Sequence, residues 1–219
     1  GASEAGVHKL TMPISVTEAH SLANVRKTHE QVFAELAAVV ALKREKYPQV
    51  EVEAGLSVAF GCTLQGAVSD DETLRIVERS AQAGADVIGL SDTSGYAEPR
   101  QVQRLFRKLQ AAVGEKAGGA HFHNTRGQGL ANVLAALEVG VTTFDASQGG
   151  IGGCPYAPGA SGNIVTEDLV FMFESMGLRT GIDLTRLIEA RRVLLEGLPG
   201  EPLYGMVAEA GLPLNYPRP

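Results

Sequence analysis

Apolar positions along this chain alternate between two periods. Short runs with β-branched residues, Lys9 to Ser15, Glu51 to Phe60, Asp86 to Leu90, Gly119 to His123 and Thr142 to Asp145, predict strands. Longer runs between them carry the wider spacing of amphipathic helices. Two of these helices open on capping boxes, Thr28 with Gln31 and Ser69 with Glu72. A third start is marked at Thr166, where Glu167 and Asp168 fall in the first turn and suit the helix dipole. Strands separated by single helices predict right-handed βαβ units and a parallel sheet.

A short repeat sharpens that picture. Glu4-Ala5-Gly6-Val7, Gln82-Ala83-Gly84-Ala85 and Glu138-Val139-Gly140-Val141 each precede a strand, where a helix would end on a C-terminal glycine. Residues 1 to 5 then read as the tail of a helix whose own strand lies outside the sequence. The five strands are fewer than the eight of a closed (β/α)₈ barrel of roughly 250 residues. The expectation is therefore a TIM barrel lacking its first three βα units, residues 1–198, followed by a tail over 199–219. A complete five-stranded doubly wound sheet is the alternative. The barrel is preferred because candidate chemistry sits after nearly every strand, whereas a doubly wound sheet gathers it at one switch point.

Composition narrows the function classes. With 219 residues, 44% of them hydrophobic, and no apolar run near the ~18 residues of a membrane span, the chain has material for a core and none for a membrane helix. The net charge is −6 and both signs are interspersed, so no basic face points to nucleic acid. Two cysteines, Cys62 and Cys154, sit beside glycines, a usage that suits a reducing compartment better than a disulfide scaffold.

The chemistry concentrates in one stretch. Gly149 to Asn163 reads GGIGGCPYAPGASGN, with six glycines and two prolines around Cys154. It lacks the polar padding of a linker and joins a strand-like run to a helix, so it reads as a loop that lets a ligand approach its backbone. In AHFHNT, strand alternation sends His121 and His123 to one face and Phe122 to the other. Neutral imidazoles so placed suit a metal, and a pair of core histidines is the plainer alternative. Asn163 would add one carbonyl oxygen, leaving an octahedral cation such as Mg²⁺ or Mn²⁺ to seek carboxylate, water or substrate oxygens. Asp92 in GLSDTSG follows an apolar strand and is either a working carboxylate or the acceptor of a local turn. Cys62 reads as a small buried residue, and Asn24, Arg26 and Lys27 follow the first strand.

These stretches carry a resemblance. GGIGGCPYAPGASGN with the following TEDLVFMFESMGLRTGIDL, HFHNTRGQGLANVLAALEVGVTTFDAS and GLSDTSG are similar to the 3-hydroxy-3-methylglutaryl-CoA lyases of the DRE-TIM metallolyase superfamily, to about Leu198. The resemblance implies a TIM barrel, a divalent cation (Mg²⁺ or Mn²⁺), an acyl-CoA substrate and retro-Claisen cleavage to acetyl-CoA and acetoacetate, a step of leucine degradation. It implies a homodimer in the cytoplasm, or in the mitochondrial matrix of a eukaryote. His121, His123 and Asn163 resemble the family's metal ligands, Cys154 its loop cysteine, Asp92 an active-site acid, and Asn24 an asparagine near the substrate. The chain departs from the pattern in lacking the first-strand arginine and aspartate, in having Cys62-Thr63-Leu64 for Cys-Pro-Tyr, at His20 and Asn124, and beyond Gly200. A Claisen-condensing synthase of the isopropylmalate synthase type, or a noncatalytic metal- or acyl-CoA-binding fragment, remain the other readings.

Overall fold

A computed structural model describes residues 5–153, 162–214 and 216. Cys154 and most of the expected helix tail over residues 1–5 lie outside the described residues. The elements run β1 (Lys9–Ser15), α1 (Glu18–Val25), α2 (His29–Lys46), β2 (Glu51–Ser57), α3 (Asp70–Gln82), β3 (Val87–Asp92), α4 (Pro99–Val113), β4 (Ala117–Phe122), α5 (Gly129–Leu137) and β5 (Phe144–Asp145). After the glycine-rich stretch come α6 (Thr166–Ser175), α7 (Leu184–Gly197) and α8 (Met206–Ala210). No helix among the described residues is long and apolar enough to cross a membrane.

All five strands are parallel and lie in the order β1-β2-β3-β4-β5. Sequential order with right-handed crossovers puts every connecting helix on the same side of the sheet. There is accordingly no switch point, and the doubly wound alternative is excluded. The helix-facing positions Ile14, Val52, Ala54, Leu56, Ile88, Leu90, Ala120 and Phe122 form one core with Leu36, Leu105, Phe106 and Leu109. Phe60 joins it, its ring 6.0 Å from Phe122 and 6.4 Å from Phe106. The opposite face carries glycine, hydroxyl and charged residues, and that face holds the cavity described below.

Both predicted capping boxes form, with Thr28 and Ser69 as N-caps. The repeated glycines end α3 and α5 as the pattern requires. Gly84 and Gly140 adopt φ of 96° and 89°, and the Ala85 and Val141 amides reach back to the Ser80 and Ala136 carbonyls at 3.1 Å. Strand ends differ from expectation by a few residues, and β2 stops at Ser57 because Val58 turns to φ 54°. Thr166 is the first residue of α6 with Glu167 and Asp168 in its first turn, as the sequence predicts, and the two acids also bond other segments.

Candidate active site

The two histidines arrive from the end of β4. Phe122 is fully buried in the helix-facing core, so alternation turns His121 and His123 to the other side, where both line a cavity of about 400 Å³. Their rings lie 5.2 Å apart between centroids at 60°. A β-bridge pairs His123 with Asn163, which lines the same cavity. The structure thus brings His121, His123 and Asn163 to one wall.

The electrostatics favour a neutral, electron-pair-donating ring at His123. Burial, helped by the neighbouring His121, pushes the His123 imidazole down to about 4. Among the described residues its Nδ1 is buried without a hydrogen-bond partner, and so is Asn163 Oδ1, while Asn163 Nδ2 donates to the Ile151 carbonyl at 2.9 Å. Asp145 Oδ2 stands 3.7 Å from His121 Nδ1, and the ring beside it holds this carboxyl below the usual range. No group of three His, Cys, Asp or Glu among the described residues could hold an ion by itself. Two imidazoles and one amide oxygen, two of the three with an orphaned buried atom, fit a divalent cation that takes its remaining oxygens from substrate and water.

The glycine-rich stretch is fastened at both feet. The Gly149 amide donates to the Glu167 carboxylate at 3.1 and 3.3 Å, and the Gly149 carbonyl accepts from Tyr204 N at 2.8 Å. At the other foot a Cβ on Gly162 would stand 2.1 Å from the Gly150 carbonyl oxygen, so only glycine lets the two feet cross. Glu167 is 0% exposed and pairs with Arg191 Nη1 at 2.7 Å, which also donates to the Tyr204 carbonyl. Asp168 accepts from the Met206 and Val207 amides. No local pattern marks these ties, because their partners lie on α7 and in the tail.

Asp92 is placed differently from a working acid. It shares the helix-facing side of β3 with Ile88 and Leu90, is 1% exposed, and its Oδ1 accepts from the Tyr96 and Ala97 amides at 2.8 and 3.1 Å. The turn-acceptor reading is the one realised, and Asp92 is not brought to the histidines' cavity. Asn24 is exposed near the end of α1 and does not line the cavity either. Cys62 is buried and its sulfur accepts from Thr17 Oγ1 at 3.2 Å, as befits a structural residue. Lys27 is engaged by Glu35. Cavity residues that the sequence reading passed over include Glu53, Ser57, Ser91, Thr93 and Asp145. Glu53 is held by Lys9 Nζ at 2.8 Å and Thr11 Oγ1 at 2.9 Å.

Comparison with known proteins places the chain in a family. A hydroxymethylglutaryl-CoA lyase of Bacillus subtilis is 37% identical over 202 residues, 92% of this chain and 67% of the relative. An (R)-citramalyl-CoA lyase of Chloroflexus aurantiacus is 39% identical over 210 residues, 96% of this chain and 65% of the relative. Among solved structures, an HMG-CoA lyase from Acinetobacter baumannii in complex with coenzyme A and 3-methylmalate superimposes with a TM-score of 0.89 at 42% identity. That match covers 100% of this chain and 70% of the solved one. The chain therefore spans about two thirds of the length of these relatives, which are carbon–carbon lyases. Matching over residues 1–194 of its 219, the chain belongs to the HMGL-like family.

Proposed function

We propose that this chain carries the metal- and acyl-binding wall of an acyl-CoA lyase that cleaves 3-hydroxy-3-methylglutaryl-CoA, or a close 3-hydroxyacyl-CoA, by a retro-Claisen reaction. The products would be acetyl-CoA and a keto acid, acetoacetate for the first substrate. One observation carries the reading: His121, His123 and Asn163 share a cavity wall, with His123 Nδ1 and Asn163 Oδ1 buried and unpartnered among the described residues.

In this reading His121, His123 and Asn163 hold the divalent cation, Mg²⁺ or Mn²⁺. When bound, that ion supplies Lewis acidity that eases loss of the substrate's hydroxyl proton. His123 serves because burial keeps its ring neutral at physiological pH. Gly152 and Gly153, at the near foot of the glycine-rich stretch, line the cavity and let a substrate approach their backbone. Cys154 in that stretch carries a proton to the departing carbon. Asp92 contributes from behind the wall by accepting from the Tyr96 and Ala97 amides and so fixing their turn.

The (R)-citramalyl-CoA lyase relative supports a second acyl group, whose carboxylate sits one methylene closer to the tertiary alcohol. A single methylene separates substrates by roughly 10- to 200-fold. The test is steady-state release of acetyl-CoA from both thioesters by the intact protein with saturating Mg²⁺ or Mn²⁺. Cleavage of either, lowered roughly 10²- to 10⁴-fold by Cys154→Ala with metal binding retained, is the expected result. Turnover of neither thioester would overturn the lyase reading, and native turnover by Cys154→Ala would remove the thiol from it.

A further inference from the structure

The aim of the Asn163 side chain is set by a backbone carbonyl. Its Nδ2 donates to the Ile151 carbonyl at 2.9 Å, and Oδ1 is left buried without a partner among the described residues. A carbonyl oxygen can only accept, so it selects the nitrogen end of the amide. Were the amide turned by half a rotation, NH₂ would stand where Oδ1 now stands. An amide oxygen coordinates a hard cation and an amide NH₂ does not. The bond to Ile151 therefore decides whether Asn163 serves as a ligand.

The Ile151 carbonyl sits in backbone with little stiffness of its own. Gly149, Gly150 and Gly152 adopt φ of 65°, 67° and 97°, in the region where glycine moves most freely. With Gly152 directly after Ile151, the peptide group between them can rotate and present its N–H in place of its C=O. An N–H there would select the oxygen end of Asn163 and reverse the amide. A Cβ on Gly152 would stand 2.8 Å from Asn163 Nδ2, so a larger residue would push the amide aside instead of steadying it.

Ser147 supplies the missing restraint. Its Oγ donates to the same Ile151 carbonyl at 2.5 Å, so the two lone pairs of that oxygen are taken by Ser147 and Asn163. The Ser147 backbone is fixed in turn. Its carbonyl accepts from Gly150 N and Thr166 N, each at 3.0 Å, and its amide donates to the Ile164 carbonyl at 3.2 Å. A parallel bridge pairs Ser147 with Val165, beside the bridge between His123 and Asn163. Hydroxyl, carbonyl and amide thus form one chain of bonds from just beyond β5 to the wall that carries the histidines.

We propose that Ser147 is a positioning residue for the cation: its hydroxyl pins the Ile151 carbonyl, which turns the Asn163 amide so that Oδ1 rather than NH₂ is offered to the ion. This rests on the reading of His121, His123 and Asn163 as ligands and adds to it what selects the coordinating end of the third. Groups that orient a metal ligand are worth roughly 10- to 100-fold in metal affinity. Ser147 is half-buried in extended backbone, with φ −127° and ψ 145°, which a β-branched residue adopts readily, so threonine can carry the same hydroxyl. Removing the hydroxyl leaves the Ile151 carbonyl with Asn163 as partner and strands no buried donor, so the fold is retained.

The experiment is calorimetric titration of Mn²⁺ into the intact protein and its Ser147→Ala, Ser147→Thr, Asn163→Asp and Asn163→Asp/Ser147→Ala variants. Ser147→Ala is expected to weaken Mn²⁺ binding roughly 10- to 100-fold, and Ser147→Thr to recover most of that loss. A carboxylate has an acceptor at both ends and no wrong way round, so Ser147→Ala should cost less than about twofold in the Asn163→Asp background. In the metal-free protein, the Asn163 side-chain amide protons should exchange with deuterium oxide faster in Ser147→Ala than in the native chain. Native Mn²⁺ affinity or unaltered exchange in Ser147→Ala would overturn the proposal. No recovery by Ser147→Thr, or an equal loss in the Asn163→Asp background, would also overturn it, by marking the serine as a support of the loop alone. A native protein that binds no Mn²⁺ would overturn the ligand set and the proposal together. One that shows this Mn²⁺ series yet cleaves neither thioester would overturn the lyase reading and uphold the proposal.

Discussion

At Asp92, burial and hydrogen bonding pull in opposite directions and burial wins. The Ala97, Tyr96 and Gly95 amides and the nearby Arg126 favour the carboxylate, yet the side chain is 1% exposed, Oδ2 has no partner among the described residues, and the group is pushed up to about 6. Between pH 4 and 6 the folded state then keeps a proton that the unfolded chain, with its ordinary value of 3.8, has released. The folded state binds more protons, so stability falls as pH rises through that window, by about 3 kcal/mol in all. Asp92→Asn keeps the Oδ1 acceptor and removes the charge. The expected outcome is a variant equal to the native protein near pH 4 and more stable by about 3 kcal/mol at pH 7.5, read from urea midpoints. A variant no more stable at pH 7.5 would show that the carboxylate is better solvated than its burial implies. The histidine pair was legible because HFH alternates one apolar with two polar positions. Asp92 was not, since VIGL before it is apolar throughout and hides which side of the strand faces the helices.

Elements were legible where the signal is local. Capping boxes at Thr28 and Ser69 and the glycine ends of α3 and α5 involve residues within about one turn of each other, and all four formed. The start of α6 shows what local reading misses. Glu167 and Asp168 suit a first turn by charge, but Glu167 bonds the Gly149 amide and Arg191, and Asp168 bonds the tail. The partners are 18 to 39 residues away, beyond any pattern of spacing. Removing one member of a buried ion pair strands the other, at a cost of about 3 to 5 kcal/mol. Arg191 is 13% exposed at its side chain, so Glu167→Ala should approach that range in denaturant unfolding and also free the Gly149 foot from α6 and α7. Faster proteolysis of the stretch after Gly149, with the rest of the chain protected, would report the second effect. A near-native unfolding midpoint would mean that Arg191 finds enough compensation in the Tyr204 carbonyl alone.

On the scale of the whole molecule, the sequence argument for a barrel-like sheet was that candidate groups follow almost every strand. Sequential strand order is the physical reason: each strand presents its C-terminal end to the same space, so chemistry is spread along the sheet rather than gathered at a crossover. The histidines come from β4, Asp145 from β5, Ser91 from β3, Ser57 from β2 and Pro13 from β1, and all line one cavity. A ligand filling it therefore touches every strand, and its binding energy opposes unfolding of the sheet as a unit. At Mn²⁺ about 100-fold above its dissociation constant the stabilisation is about 2.7 kcal/mol. For a chain of this size that corresponds to a rise in Tm of roughly 5 to 10 °C. His123→Ala should erase the rise while leaving the metal-free Tm within a few degrees, because the native imidazole is buried with an Nδ1 that is unpartnered among the described residues and its removal relieves a desolvated polar atom. Thermal unfolding with and without Mn²⁺, on both proteins, makes the comparison. An equal Mn²⁺ shift in His123→Ala would place the ion elsewhere and detach the cavity wall of β4 from the metal.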